Sequence, residues 1–459
     1  MALSDDELAT LNRLRARLDK DLRDRQVNGV RLPGFLTLRS YYQGMQRLQQ
    51  LGLAVPKELR QFVTIVAWPR TYVDAIVTRL RPQGFLLDGE ANADLWRLWQ
   101  SNNLDSEFRM ALTDMMVYGR GYLCAGSNED DESTPIITVE SPLQMAHEWS
   151  NRKRMVTSAA RFYEDQIDGV TVQHATLYLP NETVWLRMMN GQWQEGGERD
   201  VHGFGRCLVE PLVNRGTTDD RYGESEIVPI IGLTDAAARG LTLAQVGTEV
   251  MGVPQRTAAG LAANDFKDPE TGQPITQWEA YFGAIWATTN KDAKFHQFTA
   301  ADLGNFVKIV SHYAQLVAGL TGLPMRYLGQ LSDNPPSADG IRADESRLVG
   351  TAEEKMAFAD GGLDRIMAAA HSLALGGDVP DLSQMVTDWR PAVTPSQAQA
   401  ADAAVKMHAE RLYSRREALR RMGHSPAQIE TIERELLEEE QQLSAQGVRA
   451  VRDAADGGV

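Results

Sequence analysis

The residues best able to ligate a metal or move a proton near neutral pH are eight histidines, at positions 147, 174, 202, 296, 312, 371, 408 and 424. No two of them stand in an H-x-x-x-H or H-x-H pair, and no C-x-x-C occurs. The spacing that converges ligands on zinc is therefore missing, and these read as ordinary surface or core histidines. A G-x-x-x-x-G-K-[ST] phosphate loop is also missing, which argues against an NTP motor. Gly119-Arg120-Gly121-Tyr122 has the outline of a nucleotide fingerprint, but it follows a helical pattern and its next glycine, Gly126, is misplaced. A helix stop and tight turn account for it. The run Glu129-Asp130-Asp131-Glu132 could hold a cation, though a solvated loop is the simpler reading, and Glu438-Glu439-Glu440 reads as a solvated helix face. With no nucleophile arranged beside a base, the expectation is a non-enzymatic protein with no cofactor and no metal.

One polar segment stands apart. Arg326 to Pro336 joins two strongly periodic helical stretches, carries Gln330, Ser332, Asp333 and Asn334, and ends at Asn334-Pro335-Pro336 just before Ser337. By residue type alone it is either a plain helix–helix connection or a loop projecting polar tips into a channel.

The surrounding elements follow from periodicity. Ser4 and Glu7 form a capping box ahead of Leu8, Leu11, Leu14, Leu18 and Leu22 at helical spacing. A second helix is expected over Lys57–Leu80, bent or split at Pro69, and a third over Asp105–Tyr118, stopped by Gly119. Between about 135 and 209 the pattern turns to strands, with Asn190-Gly191 as a hairpin signal, so an antiparallel meander among helices is expected. Helix returns from Glu226 to Val250, and a Gly/Pro/Asp-rich interval, Ala263–Pro274, reads as a loop or subdomain tip. Thr299 and Asp302 open a helix with the stripe Leu303, Phe306, Val307, Val310, Tyr313, Val317 and Leu320. The next helix, Ser337 to about Leu375, carries Ile341, Leu348, Ala352, Met356, Ala359, Leu363, Ile366, Ala370 and Leu373 on one face, and Gly350 and Gly361-Gly362 are expected to kink or break it. Ser414/Glu417 and Ser425/Gln428 are capping boxes of a helical C-terminal module, separated by Gly423, with Ile429, Ile432, Leu436 and Leu443 as its second stripe. The fold class is α+β, mostly helical.

Bulk properties narrow the function further. At 459 residues the chain is long enough for two to four domains. The longest apolar run, Ile227–Leu233, falls far short of the roughly 20 residues needed to cross a bilayer. The acidic N-terminus lacks a signal peptide's pattern, and two distant cysteines, Cys124 and Cys207, suit reduced thiols in a cytosol. Net charge is −15, with 38 Arg scattered among carboxylates and only nine Lys, so tight grip on duplex DNA is not expected. A protein past which DNA slides is compatible with that charge.

Several stretches resemble the portal proteins of long-tailed phages, especially those infecting actinobacteria. They include Trp68 to Leu80, Gly84-Phe85, Trp96, Asn103-Leu104-Asp105, Tyr118-Gly119 with Gly121-Tyr122, Ser141-Pro142, and Gly223-Glu224-Ser225-Glu226-Ile227. Pro254-Gln255-Arg256 follows, then Gly322-Leu323-Pro324 through Leu328-Gly329 to Asn334-Pro335, Ser337-Ala338-Asp339 and Ile341, and finally Trp389-Arg390 and Leu419 with Gly423. The likeness covers roughly residues 60–430. It implies a dodecameric ring at one capsid vertex, the channel for genome packaging and ejection. Implied partners are other copies of the chain, the major capsid protein, the terminase large subunit, a head–tail adaptor and passing double-stranded DNA, with no membrane. It further implies a virion protein that assembles in the host cytoplasm. By region, it implies a wing over 1–225, stem over 226–250 and 301–325 with a clip at 251–300 between them, and a tunnel loop at 326–336. The long helix of 337–394 then returns to the wing, 395–445 form the crown, and 446–459 a flexible tail. Gln330, Ser332, Asp333, Asn334 and Ser337 become channel candidates. The competing expectation is a helix-rich head or adaptor scaffold without a DNA channel.

Overall fold

The computed structural model describes residues 3–27, 29–46, 64–167, 169–251, 256–260, 273, 292, 294–297, 304–330, 337–376, 382–393, 397–424 and 428–442. The chain divides into two compact units, Met1–Leu80 with Phe85–Val386, and Arg81–Gly84 with Thr387–Val459.

The first unit opens with α1 (Asp5–Leu22), where Ser4 Oγ accepts from the Glu7 N–H and the Glu7 carboxylate accepts from the Ser4 N–H. Strands β1 (Arg25–Val27) and β2 (Val30–Leu32) form a small hairpin before α2 (Phe35–Gln43). Next comes α3 (Trp68–Val77), so the expected helix does not run unbroken up to Pro69. Residues 64–67 are not helical, and Pro69 sits in the helix's first turn, where its missing N–H has no intrahelical acceptor to lose. The rest of the expected helix, 57–63, lies outside the described residues. Then follow β3 (Pro82–Leu87), β4 (Glu90–Ala91), α4 (Ala93–Ser101) and α5 (Leu104–Tyr118).

The β region begins earlier than its sequence suggests. Behind the left-handed Gly119 stands β5 (Arg120–Gly126), not a turn, and it pairs antiparallel with β6 (Ile136–Glu140) on one side and β13 (Val209–Val213) on the other. Gly121 explains why the pattern was misleading. A Cβ there would stand 2.3 Å from the carbonyl oxygen of Ala111, so the glycine admits α5 directly onto the strand. Strands β7 (Met145–Ser150), β8 (Met155–Ile167), β9 (Val170–Tyr178), β10 (Glu182–Met189) and β11 (Gln192–Glu195) form the expected meander, and β12 (Asp200–Val201) adds to β10. At its hairpin, Asn190 and Gly191 take positive φ of 52° and 77° between the paired Met189 and Gln192. Leu11, Leu14 and Leu18 of α1 pack into the core of this sheet with Ala160, Leu177 and Leu186.

The helices that follow are α6 (Val228–Met251), the short pair β14 (Arg256–Ala259) and β15 (Lys294–Gln297), α7 (Gly304–Thr321), a 3-10 turn (Met325–Leu328) and α8 (Ala338–Leu375). Most of the Ala263–Pro274 interval and residues 299–303 lie outside the described residues. The α7 stripe is only partly a core face. Val317 is buried, together with Ala314, whereas Val307 is 66% and Leu320 59% exposed. The α8 stripe from Leu348 to Ala370 is buried as expected. The expected break is absent, for α8 is helical through Gly350 and Gly361-Gly362. At Gly362 the reason is contact: a Cβ would come within 2.8 Å of Leu212 Cδ2 on β13. The glycine lets helix and sheet approach.

The second unit is helical. Beside residues 81–84, Thr387–Trp389 forms the end of β16 (Met385–Trp389), and the Arg390 N–H donates to the Arg81 carbonyl at 2.8 Å. There follow α9 (Gln397–Ala409), α10 (Arg415–Arg421) and α11, the helical residues 428–442. Ser414 caps α10 by accepting from the Glu417 N–H at 3.1 Å, and Ile429 of α11 is buried. Ser425, Leu443 and the tail from 446 lie outside the described residues.

Candidate functional site

The candidate channel segment is held at both ends by the first unit. Helix α7 stops where Gly322 takes a φ of 72°, and buried Leu323 and Leu328 seat the 3-10 turn that follows. That turn presents Arg326 and Tyr327 to the first turns of α8. Arg326 pairs with Asp344 at 2.9 Å and with Glu345, and Tyr327 Oη donates to Glu345 Oε1 at 3.2 Å. Arg79, just after α3, reaches both Glu345 at 3.4 Å and Tyr327 Oη at 3.3 Å. Arg347 of α8 donates to the Gly319 carbonyl at 3.1 Å, tying α8 back to α7. Two arginines and a phenol thus converge on the Glu345 carboxylate, and Arg326 bridges it to Asp344 through its two terminal nitrogens.

Of the five channel candidates, two can be placed. Gln330 is half-buried, its backbone N–H donating to the Met325 carbonyl at 3.2 Å. Ser337 is exposed and caps α8, its Oγ accepting from the Gly340 N–H at 3.1 Å, so its side chain is engaged in starting the helix. Ser332, Asp333 and Asn334 lie outside the described residues.

A second polar cluster lies beneath the start of α6. Glu226, in the loop before α6, accepts from Lys355 Nζ of α8 at 2.5 Å, Asn214 Nδ2 at 3.0 Å, Tyr72 Oη of α3 at 3.0 Å, and Arg215 through both Nε and Nη2. Burial raises the Glu226 carboxyl's pKa, but hydrogen bonds from Arg215 and the Lys355 charge outweigh it and bring it to about 2. The carboxylate stays ionised and fixes four parts of the unit around one point.

Neither Glu226–Lys355 nor Arg79–Tyr327–Glu345 was assigned a role from sequence. A signal existed for the first: Lys355 falls at helical spacing with Leu348, Ala352 and Ala359, a cation inside an apolar stripe. Among the described residues, no group of three or more His, Cys, Asp or Glu could hold a metal ion. Cys124 and Cys207 are free and buried, and their thiols are pushed upward by burial, which leaves them poor nucleophiles. Both clusters tie elements distant in sequence together through ion pairs and hydrogen bonds.

Residues 26–443 match the phage portal protein family, SPP1 Gp6-like, and the chain belongs to that family. It is 41% identical over 409 residues to the portal protein of Mycobacterium phage D29, covering 86% of this chain and 83% of that protein. It is 40% identical over the same length and shares to the portal protein of Mycobacterium phage L5. Among solved structures it is similar to a chain in the neck of a native GTA particle computed with C12 symmetry, with a TM-score of 0.43 and 14% identity over 81% of this chain and 94% of that one. No helix among the described residues is long and apolar enough to cross a membrane.

Proposed function

We propose that twelve copies of this portal protein close into a ring at one capsid vertex, forming the channel through which the genome enters and leaves the head. The observation that carries this reading, beside family membership, is the outer surface of α7. Ile309, Leu316 and Leu320 are 46, 42 and 59% exposed along one side of the helix, and a head-to-tail neighbour would remove them from water.

In this reading residues 1–225 are wing, 226–250 and 301–325 are stem flanking a clip at 251–300, and 326–336 are the tunnel loop. Residues 337–394 return to the wing, 395–445 are crown and 446–459 a tail. The ring sits within the major capsid protein and docks the terminase large subunit and then a head–tail adaptor. DNA slides through without being gripped, since twelve copies bring a formal charge of about −180 against a polyanion.

Negative-stain microscopy and analytical ultracentrifugation at near-physiological salt test the reading. Closed rings with a central hole are expected. A compact dimer at every concentration would overturn it, and a monomer would favour an adaptor scaffold without a channel.

A further inference from the structure

We propose that the C-terminal helical units dock head to tail in the ring, with Arg411 and Arg415 of one copy seated on the acidic face of α11 of the next. This contact rests on the ring reading above.

The argument starts from local charge. The chain is strongly acidic, yet residues 406–424 hold six cations, Lys406, Arg411, Arg415, Arg416, Arg420 and Arg421, against the carboxylates of Glu410 and Glu417. Helix α11 reverses the balance, with six glutamates and one arginine over 428–442. Contacts inside the unit neutralise part of each. Lys406 pairs with Asp402, Arg420 with Glu417 and Asp388, and Arg421 with Glu417, while Arg416 lies 3.9 Å from both Glu430 and Glu433. What remains among the described residues is largely separated by sign, with Glu410 the one unpaired carboxylate of the basic segment and Arg434 the one unpaired cation of α11. Arg411 and Arg415 are exposed and have no ion-pair partner among the described residues, and the same holds for Glu435, Glu438 and Glu439.

Those three glutamates stand at i, i+3 and i+4, so they share one helix face and repel one another in the lone chain. A cation arriving from outside converts that repulsion into attraction. Leu412, 68% exposed, follows Arg411 and adds apolar area beside the basic patch. The two patches are different surfaces of one unit, so repeating the contact generates a heterologous series, which a ring closes. DNA is the weaker occupant for the arginines, because the unpaired glutamates belong to the same unit and repel phosphate.

The test uses the full-length chain in three forms: Arg411→Glu/Arg415→Glu, Glu435→Arg/Glu438→Arg, and all four changes together. Ring mass on dilution is followed by mass photometry. Each double reversal should raise the concentration at which rings dissociate by about tenfold or more, and the fourfold charge swap should bring it back towards wild type. Raising salt from about 0.1 to about 1 M should shrink the difference between wild type and the double variants. Arg411→Gln/Arg415→Gln, which introduces no new carboxylate, should move in the same direction by less, and circular dichroism checks that each variant folds. Rings unaffected by either reversal, or a charge swap no better than the reversals, would overturn the contact while leaving the ring reading intact. Loss of duplex binding with rings unchanged in Arg411→Glu/Arg415→Glu would assign the arginines to DNA and overturn it too. A wild-type chain that never exceeds a dimer removes the ring reading, and this contact with it.

Discussion

Lys355 Nζ lies 2.5 Å from Glu226 Oε1, across 129 positions of sequence, with 0% and 3% of the two side chains exposed. Glu226 stands two residues before α6 and Lys355 lies in the middle of α8, so the pair fixes where the one helix begins against the flank of the other. Arg215, Asn214 and Tyr72 complete the carboxylate's hydrogen bonding. A buried pair of this kind is weak evidence for stability but strongly constrains arrangement, because either charge left alone is costly.

Lys355→Met should therefore lower the unfolding free energy by about 1–3 kcal/mol, since the buried carboxylate keeps Arg215, whose side chain is 47% exposed, as its one cationic partner. Glu226→Gln/Lys355→Met should recover part of that loss, because no buried charge remains and Arg215 can turn to solvent. Urea unfolding of the two variants beside wild type checks this. A single variant as stable as wild type would mean that the pair does not constrain the unit.

Two titrating groups, the half-buried Asp114 and the buried His147, set opposite pH trends. Burial lifts Asp114 to about 7, against a hydrogen bond from Ser141 that lowers it. Its folded value is raised, so its favourable contribution is present below the ordinary 3.8 and is lost as pH rises towards 7. His147 is buried beside Arg120 and Arg17, and burial first, then those charges, hold its imidazole well below 6.5. Its contribution is present above 6.5 and is lost as pH falls through the lowered folded value. Asp114→Asn should stabilise the protein by about 2–4 kcal/mol at pH 8 and hardly at all at pH 4. It should also leave the His147 loss visible as a steady decline below pH 6.5. Denaturation midpoints at several pH values would show both, and a pH-independent effect of Asp114→Asn would refute the assignment.

The glycines of α8 should respond in opposite directions. Gly362→Ala places a methyl group 2.8 Å from Leu212 Cδ2 and 3.0 Å from the Pro211 carbonyl oxygen, and should cost about 1–3 kcal/mol. Gly350→Ala meets nothing within 4 Å and should stabilise the helix by up to about 1 kcal/mol. Melting temperatures of the two variants compare them directly.

Gln330→Ala/Ser332→Ala should change stability by well under about 1 kcal/mol, because Gln330's hydrogen bond to Met325 is made by its backbone and survives the substitution. Rings should assemble, and packaging rate or packaged genome length should fall. Normal packaging with a collapsed melting temperature would make the segment structural and remove it from the channel.

Much of this protein is determined by local pattern. The Ser4–Glu7 box, the Asn190-Gly191 hairpin, the stop at Gly119 and the buried face of α8 are legible because each depends on neighbours within a few residues or on one helical period. The family, too, is legible from the order of short motifs along the chain. What the tertiary structure alone decided involves partners far apart in sequence. Gly121 sits in a strand because α5 must approach it, and Gly362 continues a helix because β13 lies against it. Pro69 opens a helix because residues 64–67 leave helical geometry before it. The α7 stripe reads as a core, yet one chain covers only part of it, since periodicity marks an apolar face without saying which molecule covers it. Glu226 and Lys355 are ordinary charged residues in sequence, and folding makes them a unit because a low-dielectric interior admits each charge only in the company of the other.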